Sequence, residues 1–115
     1  ILHPIQKFND NYYLIAREGD TFKTLGKEVE ISWRKLARYN ERDKHTVLHK
    51  GDIIYLKKKR KKAPKQYKKR PHIVQSGESM YSISQRYGIR IKYLYKMNKL
   101  DPSYKARVGD RLRVR

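Results

Sequence analysis

The apolar positions of the chain fall into short blocks with two different periods. Tyr12-Tyr13-Leu14-Ile15-Ala16 is rich in aromatic and β-branched residues and predicts a strand. Gly19 ends that run, and Thr21 supplies a hydroxyl suited to accept an unpaired amide of a helical first turn. Phe22, Leu25 and Val29 then recur at i, i+3 and i+7, one apolar stripe of a helix. Trp33, Leu36 and Tyr39 lay out a second stripe. It stops at Asn40, a residue that tolerates a left-handed C-cap. A polar loop leads to Gly51-Asp52 and a closing strand Ile53-Ile54-Tyr55-Leu56. Its register turns Ile54 and Leu56 toward the core and Ile53 and Tyr55 outward. The N-terminal segment His3-Pro4-Ile5 to Phe8 is one candidate to cover that outer face; plain exposure is the alternative.

The same order is written again 58 residues later without a gap, with eight identical positions between 14–56 and 72–114. Gly19 falls on Gly77, Ile31 on Ile89, Leu36 on Leu94, Asn40 on Asn98 and Gly51-Asp52 on Gly109-Asp110. Ser79 takes the capping position, Met80, Ile83 and Tyr87 form the first stripe, and Ile91, Leu94 and Met97 form the second. The last strand alternates Arg111 out, Leu112 in, Arg113 out, Val114 in. The pattern predicts an α+β fold of two small units. Each is strand, helix, helix, strand, with a two-stranded antiparallel sheet and both helices on one face. The boundaries read as an N-terminal extension 1–11, a first unit 12–56, a linker 57–71 and a second unit 72–115.

Composition changes this picture in two ways. The chain has no cysteine, so units of roughly 45 residues must be held by packing alone. The net charge of +19 suggests a nucleic-acid partner until it is placed along the chain. Lys57 to Pro71 holds ten basic residues and no acid, so more than half of the charge lies in the linker. Such a block is expected to stay solvated and extended, with a reach of roughly 50 Å. No apolar run is long enough to span a membrane. The chain begins with Ile1 and reads as a fragment of a longer or processed protein.

The residues that carry a family resemblance are Ile73-Val74-Gln75-Ser76-Gly77-Glu78-Ser79-Met80, Ile83, Tyr87-Gly88-Ile89, Leu94, Met97-Asn98 and Val108-Gly109-Asp110-Arg111-Leu112. In this order they resemble the LysM domain. The first repeat fits through Ala16, Gly19-Asp20-Thr21-Phe22, Leu25, Ile31, Leu36, Asn40, Leu48, Gly51-Asp52 and Leu56. It departs at Ala16, where valine is usual, and at Glu30, where a glycine normally ends the first helix. A positive φ there strains Glu30; a different turn removes the strain.

The resemblance implies binding of N-acetylglucosamine-containing glycans, either peptidoglycan or chitin, in a groove between the first strand–helix loop and the second helix–strand loop. Carried onto this chain, the first loops give Gly19, Asp20, Thr21, Phe22 and Gly77, Glu78, Ser79, Met80. The second loops give Glu41, Thr46, Val47 and Lys99, Leu100, Tyr104, Ala106. Helix-start amides offer donors to a sugar, Phe22 and Met80 an apolar wall, and Asp20 and Glu78 acceptors. Each has a structural alternative: Thr21 and Ser79 as N-caps, Phe22 and Met80 as core, Asp20 and Glu78 beside the helix dipole. Trp33 and Tyr39 are expected in the core, and Tyr104 as the exposed aromatic contact.

No catalytic constellation is legible. Paired carboxyl groups of the kind glycoside hydrolysis uses do not recur between the repeats. His45 and His49 stand four apart without a third metal ligand, and no cofactor is implied. The expected function is non-catalytic glycan binding in the cell envelope, in a secreted or periplasmic setting, anchoring an attached hydrolase. His3 to Asp10 followed by two repeats resembles the tail of bacterial cell-wall glucosaminidases of the flagellar-muramidase-like group. The alternative is electrostatic binding of nucleic acid or anionic envelope polymers through the linker and second repeat.

Overall fold

The computed structural model describes residues 1–115 and divides into two compact units, Ile1–Lys59 and Arg60–Arg115. In the first, the order is β1 (Gln6–Phe8), β2 (Asn11–Ile15), α1 (Phe22–Val29), α2 (Trp33–Tyr39) and β3 (Ile53–Tyr55). In the second it is β4 (His72–Ile73), α3 (Met80–Tyr87), α4 (Ile91–Met97) and β5 (Arg111–Leu112). No helix is long and apolar enough to cross a membrane.

Both units carry the expected antiparallel pairing of first and last strands, Leu14 opposite Ile54 and His72 opposite Leu112. The cores are the predicted stripes. Leu14, Ala16, Phe22, Leu25, Leu36 and Ile54 are buried in one, and Val74, Met80, Ile83, Leu94, Leu112 and Val114 in the other. Both first helices begin with a capping box. Thr21 Oγ1 accepts from the Thr24 amide and Ser79 Oγ from the Ser82 amide, each at 3.0 Å, while the N3 hydroxyl accepts from the cap's own amide.

The first sheet has three strands rather than two, in the order β1-β2-β3. The turn Asn9-Asp10 has φ of 51° and 56°, the left-handed pair of a two-residue hairpin loop, and it lays β1 along β2. Thus Gln6–Phe8 join the unit's own sheet, and residues 1–11 fall within its compact body. Tyr55 does face outward in register, yet it is buried, with the Tyr13 ring 5.8 Å away. That burial pushes its phenol well above the ordinary range.

Residues 57–71 are not an extended tether. Lys57 is held by both ends of the Asn11 amide, and Lys59 lies buried with its ammonium 2.6 Å from Glu41 Oε1. Desolvation lowers the Lys59 pKa, and Glu41 works against that loss. From Arg60 on, the chain belongs to the second unit. Arg60 bridges Ile89, Ala63 is fully buried in the core and donates to Val114 O at 2.8 Å, and Tyr67 packs edge-on against Tyr87 at 5.2 Å. The apolar residues hidden in the basic run explain the difference: Ala63 and Tyr67 find a core to join.

Candidate functional site

In the first unit a cleft of about 530 Å³ opens between the β2–α1 loop and the α2–β3 loop. Gly19, Asp20 and Thr21 form one lip. The capping box spends the Thr21 hydroxyl on the helix, while the amides of Phe22 and Lys23 precede any carbonyl partner within α1. Thr46, Val47 and Leu48 form the other lip, and Val47 is 73 % exposed. Between the lips stands Trp33, half-buried, with the His45 ring edge-on at 5.2 Å. The ammonium groups of Lys23 and Lys44 lie 5.7 and 5.2 Å from the Trp33 ring centre.

Five of the seven residues predicted in this unit, Gly19, Asp20, Thr21, Thr46 and Val47, therefore line one cleft. Two do not. Phe22 is fully buried in the core, because the first position of the apolar stripe points inward. Glu41 is engaged with Lys59 and borders a separate, shallower groove with Arg34, Arg38 and Arg42. Trp33, expected in the core, packs against it while its other side walls the cleft, and Lys23, Lys44 and His45 join it there. The signal was present in the sequence. Trp33 opens its helix beside the loop rather than sitting mid-stripe.

Asp20 is not a free acceptor. Its Oδ2 takes the Arg17 amide at 2.6 Å and His3 Nε2 at 2.7 Å. His3 Nδ1 and its amide reach Glu28, each at 2.8 Å, and that backbone bond leads in lowering the Glu28 pKa. The second unit reaches the same end by another route. Glu78 Oε1 accepts from the Gln75 amide at 2.7 Å and lies 2.8 Å from His72 Nε2, while His72 Nδ1 stands 2.6 Å from the Tyr87 hydroxyl.

Around the second unit's corresponding loops, Gly77 and Ser79 are exposed, Glu78 is half-buried, and Met80 is buried core. Leu100 and Ala106 pack against the core, and Lys99 is an exposed left-handed residue with φ of 53°. Tyr104 is not the free platform expected. Its ring is half-buried and its hydroxyl donates to Asp110 Oδ2, a bond that raises the Tyr104 pKa and lowers that of Asp110.

The family model of the LysM domain matches residues 14–57 and 72–115. Among solved structures the chain is similar to the spore cortex-lytic enzyme SleL of Bacillus cereus. The identity is 24 %, the match covers 96 % of this chain and 22 % of that one, and the TM-score is 0.38. It is also similar to SleL of Bacillus megaterium QM B1551, at 15 % identity over 89 % of this chain and 22 % of that one, with a TM-score of 0.35. The chain thus spans about a fifth of the length of either enzyme. No curated protein matches it in sequence.

Proposed function

The chain belongs to the LysM family, whose domains bind N-acetylglucosamine-containing glycans, and on that premise we propose a non-catalytic, bivalent module for peptidoglycan. It holds an attached cell-wall hydrolase on its substrate at the cell envelope. The observation that carries this reading is the cleft between Gly19–Thr21 and Thr46–Leu48, with Trp33 as its wall. Helix-start amides suit an acetamido carbonyl, glycine lets the sugar approach the backbone, and the indole face suits the apolar face of a pyranose. The carboxylates support binding rather than hydrolysis. Asp20, Glu28, Glu41, Glu78 and Asp110 each hold a partner of their own fold. Two weak sites on one chain raise the apparent affinity when both engage one polymer.

The test is a residue-resolved NMR titration of the whole chain with chitotetraose. Amide shifts concentrated at 19–23 and 44–48, and at 77–82 and 99–108, support the reading. Shifts confined elsewhere, or none, overturn it. Trp33→Ala is expected to weaken binding in the first unit alone.

One observation favours a second partner class. Tyr93 on α4 is ringed by Lys61, Arg90 and Lys92, with side-chain charges 4.8 to 5.3 Å from its ring centre. These cations, with Lys96, outweigh desolvation and lower its phenol pKa. A polyanion held there releases counterions and dissociates with added salt, whereas neutral sugar stays bound.

A further inference from the structure

The two repeats differ in charge at the positions that wall the cleft. In the first, Lys23, Trp33, Lys44 and His45 surround the opening. At the same offset of 58 the second repeat holds Tyr81, Ile91, Pro102 and Ser103 at these four places, and its one cation opposite the cleft lining is Lys105, in the place of Val47. Lys23 and Lys44 place their ammonium groups within 5.7 and 5.2 Å of one indole, and neither is paired with a carboxylate. Asp20 is the acid on the lip, and its Oδ2 already takes the Arg17 amide and His3 Nε2. Lys44 also borders the adjoining groove, where Arg34, Arg38 and Arg42 outnumber Glu41 and Asp43, so net positive charge continues out of the cleft on that side.

We propose that the first unit selects amino-sugar chains bearing a carboxylate on the sugar's own substituent, while the second takes neutral acetamido sugars. The inference rests on the glycan-binding reading and names the substrate class of its first site. With a pyranose face on Trp33, a carboxylate on the adjacent residue falls between two ammonium groups. It gains charge-assisted hydrogen bonds there that a neutral sugar lacks. A shared low-polarity wall strengthens that attraction over the same pair in open water.

The experiment titrates the whole chain with two probes, read separately at the amides of each unit. One is a tetrasaccharide of alternating N-acetylglucosamine and its 3-O-lactyl acid; the other is the methyl ester of that acid. The first unit is expected to bind the acid about tenfold more tightly than the ester, the scale of one charge-assisted bond at a partly exposed site. That advantage should shrink with salt and vanish in the double variant Lys23→Gln, Lys44→Gln, with amide dispersion as the check on folding. The second unit should not distinguish the probes. Equal affinity for acid and ester in the first unit, or a preference that survives the double variant, overturns the inference while leaving glycan binding intact. Failure of both probes and of chitotetraose overturns the underlying reading and this one with it.

Discussion

The side chain of Asn40 pairs with the backbone of Tyr55 as though it were a strand residue. Its Oδ1 accepts the Tyr55 amide at 2.8 Å, and its Nδ2 donates to Tyr55 O at 2.9 Å. The same Nδ2 donates to Leu36 O at 2.9 Å, so one fully buried amide closes α2 and fastens β3 to it. Asn98 repeats the arrangement with Arg113 and Leu94.

Asn40→Ala leaves the Tyr55 amide and carbonyl and the Leu36 carbonyl without this partner in a dry site. The expected loss is about 3 kcal/mol for the first unit. Asn98→Ala removes the same bonds where the side chain is half-exposed and water can replace them, so about 1 kcal/mol is expected in the second. Urea unfolding read at amides of each unit checks both values and their order.

Glu30 ends α1 at φ 58° and ψ 41°, and Gly88 ends α3 at φ 65° and ψ 34°. The left-handed position is therefore kept even where the repeat offers no glycine, and Glu30 carries the strain. Glu30→Gly is expected to stabilise the first unit by about 1 kcal/mol, and Gly88→Ala to destabilise the second by a similar amount. Thermal unfolding of the two variants should move in opposite directions.

Much of this fold was legible because each repeat writes its strands, caps and stripes in local periodicities. Asn40 and Asn98 show where local reading stopped. They sit at the helix ends as expected, but with φ near −100°, and the left-handed residues are their neighbours Glu41 and Lys99. Asparagine is needed for its side chain rather than its backbone, a fact that depends on Tyr55 in β3 and on Arg113 just after β5, each 15 residues away. Trp33, which both packs on the core and walls the cleft, marks a related limit. A stripe says which way a residue faces, and a loop that stops short of covering it decides whether the face is core or cleft. The hairpin turn Asn9-Asp10 is a local signal that lies outside the repeated pattern.

Gly26 records a difference in how closely the helices of each repeat approach. A Cβ added there would stand 2.6 Å from Ile31 O and 3.3 Å from the Trp33 backbone. The second unit holds Ser84 at that position, fully buried. Gly26→Ser, although it installs the other repeat's residue, is expected to push α1 from the start of α2 and cost about 2 kcal/mol. Because that start carries Trp33, glycan shifts at 44–48 should weaken as well.

The arm before β4 is tested by Ala63. Its side chain is fully buried, its amide donates to Val114 O, and its carbonyl accepts from Arg115 Nη1 at 2.7 Å. Ala63→Asp places an unpaired carboxylate in the core of the second unit. A loss of at least about 3 kcal/mol there is expected, with the first unit untouched. A variant that unfolds no more easily would return residues 60–71 to the status of a tether.

Glu78 makes the second unit sensitive to acid. Burial works to raise its pKa. That is outweighed by the Gln75 amide, the bond to His72 and the charges of His72 and Arg86, which together hold it below the ordinary 4.5. A carboxylate depressed in this way adds stability above its unfolded value and loses it as pH falls through the lower folded one. Glu78→Gln removes that ionisable group. The gap in urea midpoint between the parent chain and Glu78→Gln should be widest near neutral pH and close progressively below pH 4.5. A gap that stays constant from neutral pH into that acid range would mean that Glu78 holds the β4–α3 turn by shape alone, and that its charge contributes nothing.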